Sequence, residues 1–281
     1  MTSDSVETLT VDSESDHTIQ GGPNMKKKLT GLAIIAALAM LGLTYASAGA
    51  PLAISPSCGL VLDAEVCVSA IMDGTSVREL SVTVPLRLIE AAPAEVEMSW
   101  PPEELAAIAL PDDVRAALGI DHLGINWEAH GHPPGPFLTP HFDFHFYNVG
   151  RDELATLDCT DESKPTSIPP GYMLPDINAP GLGMLLGLCV PRMGMHAMPE
   201  NEVEAAEPFR ATMVMGYYGG APIFFEPMVS RARLLERSDF ALTVPSVSTL
   251  PAGVLYPSEF VAVYEAAADQ YRFVMTGFDG R

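Results

Sequence analysis

The sequence predicts a β-rich α+β protein: a single domain of mainly antiparallel sheet, barrel- or sandwich-like, with a few short helices. Three observations carry this expectation. Of the 281 residues, 48% are apolar and only 18% charged, which supplies a large core and argues against a disordered or coiled-coil chain. The 25 prolines and 23 glycines cut the chain into short runs, as turns between strands require. Within several runs apolar residues alternate, the period of a strand.

Taken in order, residues 1–24 are polar, acidic and aperiodic. They read as a disordered extension, or as the product of a start codon assigned upstream of Met25. Residues 25–48 have the make-up of an export signal: Lys26, Lys27 and Lys28, an apolar run from Leu29 to Leu43, then Ala46-Ser47-Ala48 as a small-residue cleavage site. That run falls short of the ~20 residues a spanning helix needs. No stable membrane anchor is therefore expected after cleavage, and the destination is periplasmic or secreted. Residues 49–65 lead into one domain over 66–281.

A strand pair is expected over residues 66–90, turning at Asp73-Gly74. Pro101-Pro102-Glu103-Glu104 reads as the start of a short helix ending near Ala109. A second helix is expected from Asp112 to Leu118, stopped by Gly119. Strands over residues 124–132 and 141–149 flank a Pro/Gly connection. Residues 158–191 form a long Pro/Gly-rich insert, too long for an ordinary connector. Gly219-Gly220 marks a hairpin within residues 208–229, and a last hairpin spans 259–278.

Charge and cysteines bound the partners. Asp and Glu number 36 against 15 Lys and Arg, a formal net of −21. Cleavage after Ala48 would remove three lysines and five acids, leaving 12 basic and 31 acidic residues and a net of −19. No basic stripe exists to meet phosphates, so nucleic acid is excluded as a main partner. An assembly of identical copies is compatible with the sequence, and any small-molecule substrate is unspecified by it. In an exported chain the four cysteines read as disulfides, and sequence-local pairing gives Cys58–Cys67 and Cys159–Cys189. No C-x-x-C spacing favours thiolate metal ligation.

Four of the seven histidines fall close together: His130, His132, His141 and His145. In the run HFDFHFY, Phe142, Phe144 and Phe146 take one strand face and His141, Asp143, His145 and Tyr147 the other. His130 and His132 are i,i+2, about 7 Å apart, whereas His141 and His145 are about 13 Å apart and can hardly share one ion on an unbulged strand. A hairpin with His132 opposite His141 would set His130 against Asp143 and Glu128 against His145. His130, His132, His141 and Asp143 would then form one ligand patch, and a shift of two residues would bring in His145 instead.

Two outlying residues join the candidates. His196 follows the long insert and can be delivered by it. Glu226 is the one ionisable residue in its apolar run, so its carboxylate must be paired, protonated or metal-bound if buried, or else lie on an edge strand beside Pro227. Zinc is the first choice of divalent transition metal, with iron and copper also compatible. Met193, Met195, Met198, Met213 and Met215 could supply soft copper ligands but suit core packing better. No G-x-S-x-G elbow, Walker loop or Rossmann fingerprint occurs.

Residues 127–132 (W-x-x-H-G-H), 140–147 (P-H-F-D-F-H-F-Y), 193–196 (M-G-x-H), the hairpin Gly216 to Gly220 and residues 224–228 (F-x-E-P-M) together resemble a family of exported bacterial proteins of unknown role. The resemblance spans roughly residues 66–281. It implies a single β-rich domain and groups His130, His132, His141, His145, His196 and Glu226 in one signature. Two departures stand out: Ala197 occupies a position commonly Trp in that pattern, and the insert with its cysteine pair looks peculiar to this chain. The reading is an exported metal-binding protein with a His-rich site on a β-hairpin. The second reading is a metal-dependent hydrolase or lyase using metal-activated water, with Glu226 as general base.

Overall fold

The computed structural model describes residues 51–97 and 99–278; the extension and the signal segment read from the sequence lie outside the described residues. Alternation of buried and more exposed side chains marks the second strand, against which the first pairs as an edge, and much of the third. These are β1 (Leu52–Val61), β2 (Ala64–Asp73) and β3 (Ser76–Pro85). They are followed by β4 (Glu104–Ala109), β5 (His122–Glu128), β6 (His141–Tyr147) and β7 (Tyr172–Met173). Next come β8 (Ile177–Ala179), β9 (Gly183–Leu185), β10 (Met195–Pro199), β11 (Ala211–Tyr218) and β12 (Ala221–Ser230). The last are β13 (Phe240–Thr243), β14 (Glu259–Glu265) and β15 (Gln270–Thr276).

One six-stranded sheet has the order β1-β2-β3-β15-β14-β13, and a seven-stranded sheet the order β4-β5-β6-β12-β11-β10-β7; β8 and β9 form a separate hairpin. Pairings are antiparallel throughout the described strands. The two sheets share one core, as in a sandwich. Val68, Val82, Phe260 and Phe273 from the first meet Ile125, Phe144, Met215 and Phe225 from the second. Phe144 and Phe273 touch edge-to-face across it, their ring centroids 5.1 Å apart.

Antiparallel sheets commonly leave one face to water, but here the outer face of the seven-stranded sheet is also covered. A second cluster, including Phe137, Leu188, Met198, Phe209, Val214 and Phe224, lies there. All seven residues of β6 are buried as a result. The insert supplies part of this cover: Leu185 and Ile177 pack against the cluster, and β7 pairs with the edge of β10. The cysteines pair as Cys58–Cys67, directly cross-strand between β1 and β2, and Cys159–Cys189, which closes the insert over 30 residues.

Four local expectations change. Glu104–Ala109 is a strand rather than a helix, because pairing of Ile108 with Leu123 and Ala107 with Gly124 on β5 outweighs the helix propensity of an Ala-rich run. Residues 52–61 belong to the first sheet instead of preceding the domain. The β3 strand stops at Pro85, and Leu86–Ala91 turns helical to bury Leu86, Leu88 and Ile89. The hairpin register also differs, since Glu128, Asn126 and Gly124 stand opposite His141, Asp143 and His145. Gly131 adopts φ +65°, and with Pro133 and Pro134 next to it the chain leaves the ladder after Glu128. The helix Asp112–Leu118, capped by Gly119, and the two later hairpins form where the sequence puts them.

Candidate metal centre

Strand alternation aims His141, Asp143 and His145 at the outer face of the seven-stranded sheet. The constant register between β12 and β6, with Phe225 opposite Phe146 and Met228 opposite Asp143, sets Glu226 across from His145. β12 lies at the centre of its sheet, so Glu226 is not on an edge. His196 arrives on β10 opposite Gly216 of β11. A side chain at Gly216 would collide with the Phe224 ring, which packs on both His145 and His196 at 4.9 and 5.1 Å between centroids. His132 comes from the loop after β5. A Cβ at Gly131 would strike the backbone of Phe137 and Thr139, so this glycine allows the loop to fold back.

The side chains gather into two groups of three. His132, His141 and Asp143 form one, and His145, His196 and Glu226 the other; within each, one ligand atom per residue lies within 4.8 Å of its fellows. These clusters could bind a metal. His141, Asp143, His145 and Glu226 are all under 5% exposed. The His141 Nε2–Asp143 Oδ1 distance is 3.3 Å and the His145 Nε2–Glu226 Oε2 distance 3.5 Å. All four of these atoms are buried without a hydrogen-bond partner, a costly state for polar groups unless something else satisfies them.

Tautomers can be assigned from the chemistry of the partners. A carbonyl oxygen only accepts, so a ring nitrogen facing one must carry the proton. His132 Nδ1 donates to the Pro133 carbonyl at 2.9 Å, His141 Nδ1 to Thr139 at 2.7 Å, and His196 Nδ1 to Leu188 at 3.0 Å. Each of the three therefore keeps its lone pair on Nε2. This is how metal-ligating histidines are usually oriented.

Burial holds all four histidines below their ordinary range, His196 down to about 4, so they are neutral and able to ligate. Burial also pushes Asp143 well above the usual carboxylate range, helped by the charges of Glu226 and Glu128 and by a hydrogen bond with Glu226. Glu226 is raised well above its usual range by burial, partly offset by its contact with Asp143. Burial thus favours the protonated form of both carboxyls.

Of the sequence candidates, His130 stands apart. Its side chain is 42% exposed and faces Glu95 at 3.4 Å. Glu226, given the general-base role from sequence, lies in the candidate cluster with His145 and His196. Sequence reasoning set Glu128 against His145 but left it out of the ligand set; it stands on β5 opposite His141. Glu128 lines the cavity and is raised to about 7 by burial. The apolar cover from the insert was also missed. Leu182, Leu185 and Leu188 help to line a cavity of about 60 Å³ together with His132, Asp143, His145, His196 and Glu226, room for ions and a few waters. Met195, Met213 and Met215 lie in the core between the sheets, while Met193, Met198 and Met228 face the cavity.

Fold and site together describe a sandwich-like antiparallel β protein with buried clusters of His, Asp and Glu that could bind a metal on the outer face of one sheet. The sequence matches no protein-family model, and no curated protein or solved structure shows a significant likeness to it.

Proposed function

We propose that this is an exported protein that binds a divalent transition metal on the outer face of its seven-stranded sheet. One observation carries the reading: the buried Nε2 atoms of His141 and His145 face the Asp143 and Glu226 carboxylates at 3.3 and 3.5 Å with no hydrogen bond to satisfy either side. Each triad is two histidines and one carboxylate, a donor set that suits zinc and also Fe(II). Zinc is the leading candidate, and thiolate chemistry plays no part because the described cysteines are all disulfide-bonded. The two disulfides suit an oxidising compartment, in keeping with export to the periplasm or beyond. Among the described residues no helix is long and apolar enough to cross a membrane. Membership of the exported bacterial family that the motifs resemble is part of this proposal.

Elemental analysis of protein purified without a histidine tag tests it. The expected result is a stoichiometric transition metal whose content falls in His141→Ala. Protein that holds no ion, and whose melting temperature is unmoved by zinc, iron or copper, would overturn the reading.

A second reading, a metal-dependent hydrolase or lyase, is favoured by access. A groove of about 410 Å³ on the surface shares Trp100, Pro102, Glu128, His132, Pro133 and Leu182 with the inner cavity. Three protein ligands also leave a position for water. In that reading Glu128 is better placed than Glu226 to act as base, since it touches both groove and cavity and is free of the ligand triads. The groove lining contains no Lys or Arg, which fits neutral or cationic substrates. Turnover of neutral ester or amide probes that disappears in Glu128→Gln, with the metal retained, would separate catalysis from binding alone.

A further inference from the structure

We infer that the outer face holds two ions side by side, one bound by His132, His141 and Asp143 and the other by His145, His196 and Glu226, with the carboxylates of Asp143 and Glu226 between them. This rests on the metal-binding reading above and adds the number and arrangement of the ions.

Strand geometry separates the two triads. His141 and His145 lie four residues apart on β6, which pairs with β5 without a register shift, so their Cα atoms are about 13 Å apart. Their rings turn to different neighbours. The His141 ring meets His132 at 4.9 Å between centroids, and the His145 ring meets His196 at 6.0 Å. One ion shared by His141 and His145 would require both rings to abandon these contacts and lean along the strand over Asp143.

Spacing within each triad fits an ion of its own. Two ligands at about 2.0–2.1 Å from a tetrahedral ion stand about 3.4 Å apart. The two nitrogen–oxygen pairs, at 3.3 and 3.5 Å, match that edge and are not hydrogen bonds. The triads are independently braced, the first by the Pro133 and Thr139 carbonyls and the second by the Leu188 carbonyl from the insert.

Charge balance permits either count. Asp143, Glu226 and Glu128 line one cavity with no Lys or Arg, so one divalent ion leaves a single negative charge and two leave a single positive charge, which a bound hydroxide would meet. Adjacent carboxylates between ions are how two-ion centres hold metals a few ångströms apart. The remaining cluster of this kind among the described residues, Cys58, Glu65 and Cys67, has its sulfurs in a disulfide and offers no thiolate.

The test uses the full chain without a tag, stripped by chelator, loaded with Co²⁺ and desalted through a weak competing chelator to remove ions held by the acidic surface. Cobalt is then counted per chain. Two equivalents are expected for the wild type, one each for His132→Asn and His196→Asn, and none for the double variant. A wild type holding one ion, lost in either single variant, overturns the two-ion inference and leaves the metal-binding reading standing. No ion in the wild type overturns both. Should a variant fail to fold when metal-free, as judged by circular dichroism, the wild-type count alone decides between one ion and two.

Discussion

Replacing Glu128 by Gln should stabilise the metal-free protein at alkaline pH and leave it unchanged in acid. Glu128 has a folded-state value of about 7 against an ordinary 4.5, raised by burial. The folded state thus keeps this proton over a range in which the unfolded chain has released it. The cost of holding the carboxylate is absent below pH 4.5, grows as pH rises, and is complete above about 7. The gap of about 2.5 pH units, at about 1.4 kcal/mol each, makes that cost about 3 kcal/mol. A domain of this size shifts its melting temperature by roughly 2–4 °C per kcal/mol, so Glu128→Gln should melt roughly 6–12 °C higher at pH 8. Differential scanning calorimetry in excess chelator at pH 4.5 and pH 8 reads the difference. Equal shifts at both values, or none at pH 8, would refute burial of the carboxylate as the cause. Saturating metal should cancel most of the gain, because an ion neutralises the cavity that the substitution otherwise relieves.

Other outcomes follow from the same geometry. His130→Ala should change metal affinity less than twofold, since its ring is exposed and turned to Glu95, whereas His141→Ala should cost tenfold or more in chelator competition, the scale seen even for residues that only orient ligands. Metal uptake at pH 7 should release protons from Asp143 and Glu226, both raised, and none from the histidines, which are already neutral. Affinity should therefore rise with pH, and calorimetry in buffers of different ionisation enthalpy counts the protons. Replacing both Cys159 and Cys189 by Ser should remove about 3–4 kcal/mol of stability on the chain-entropy view, measured by urea unfolding. Gly216→Ala should cost about 1–3 kcal/mol by driving the Phe224 ring off His145 and His196, with loss of the ion bound there.

Most of the sheet framework was legible because its signals are local. The Asp73-Gly74 and Gly219-Gly220 turns and the alternation of β14 and β15 each sit within one hairpin. The Ala-rich run of β4 was not, because its helical look is overruled by a partner strand far along the chain. The candidate site divides in the same way. Alternation alone put His141, Asp143 and His145 on one face, and the lone carboxylate in an apolar run picked out Glu226. The hairpin register was misjudged because HGH looks like strand, while Gly131 and the two prolines after it carry His132 out of the ladder. From sequence, His141 and His145 competed for one site. The sheet makes room for both, because β12 and β10 approach β6 from a side that no local pattern reveals.

The Cys159–Cys189 bridge ties the second triad to the insert. It closes next to Leu188, whose carbonyl fixes the tautomer of His196. A chain with these thiols still reduced has its first triad encoded by β6 and the adjoining loop, while the second waits for the insert to be tied down. Metal uptake at that second triad would then depend on the redox state of a cysteine pair that contributes no ligand to it.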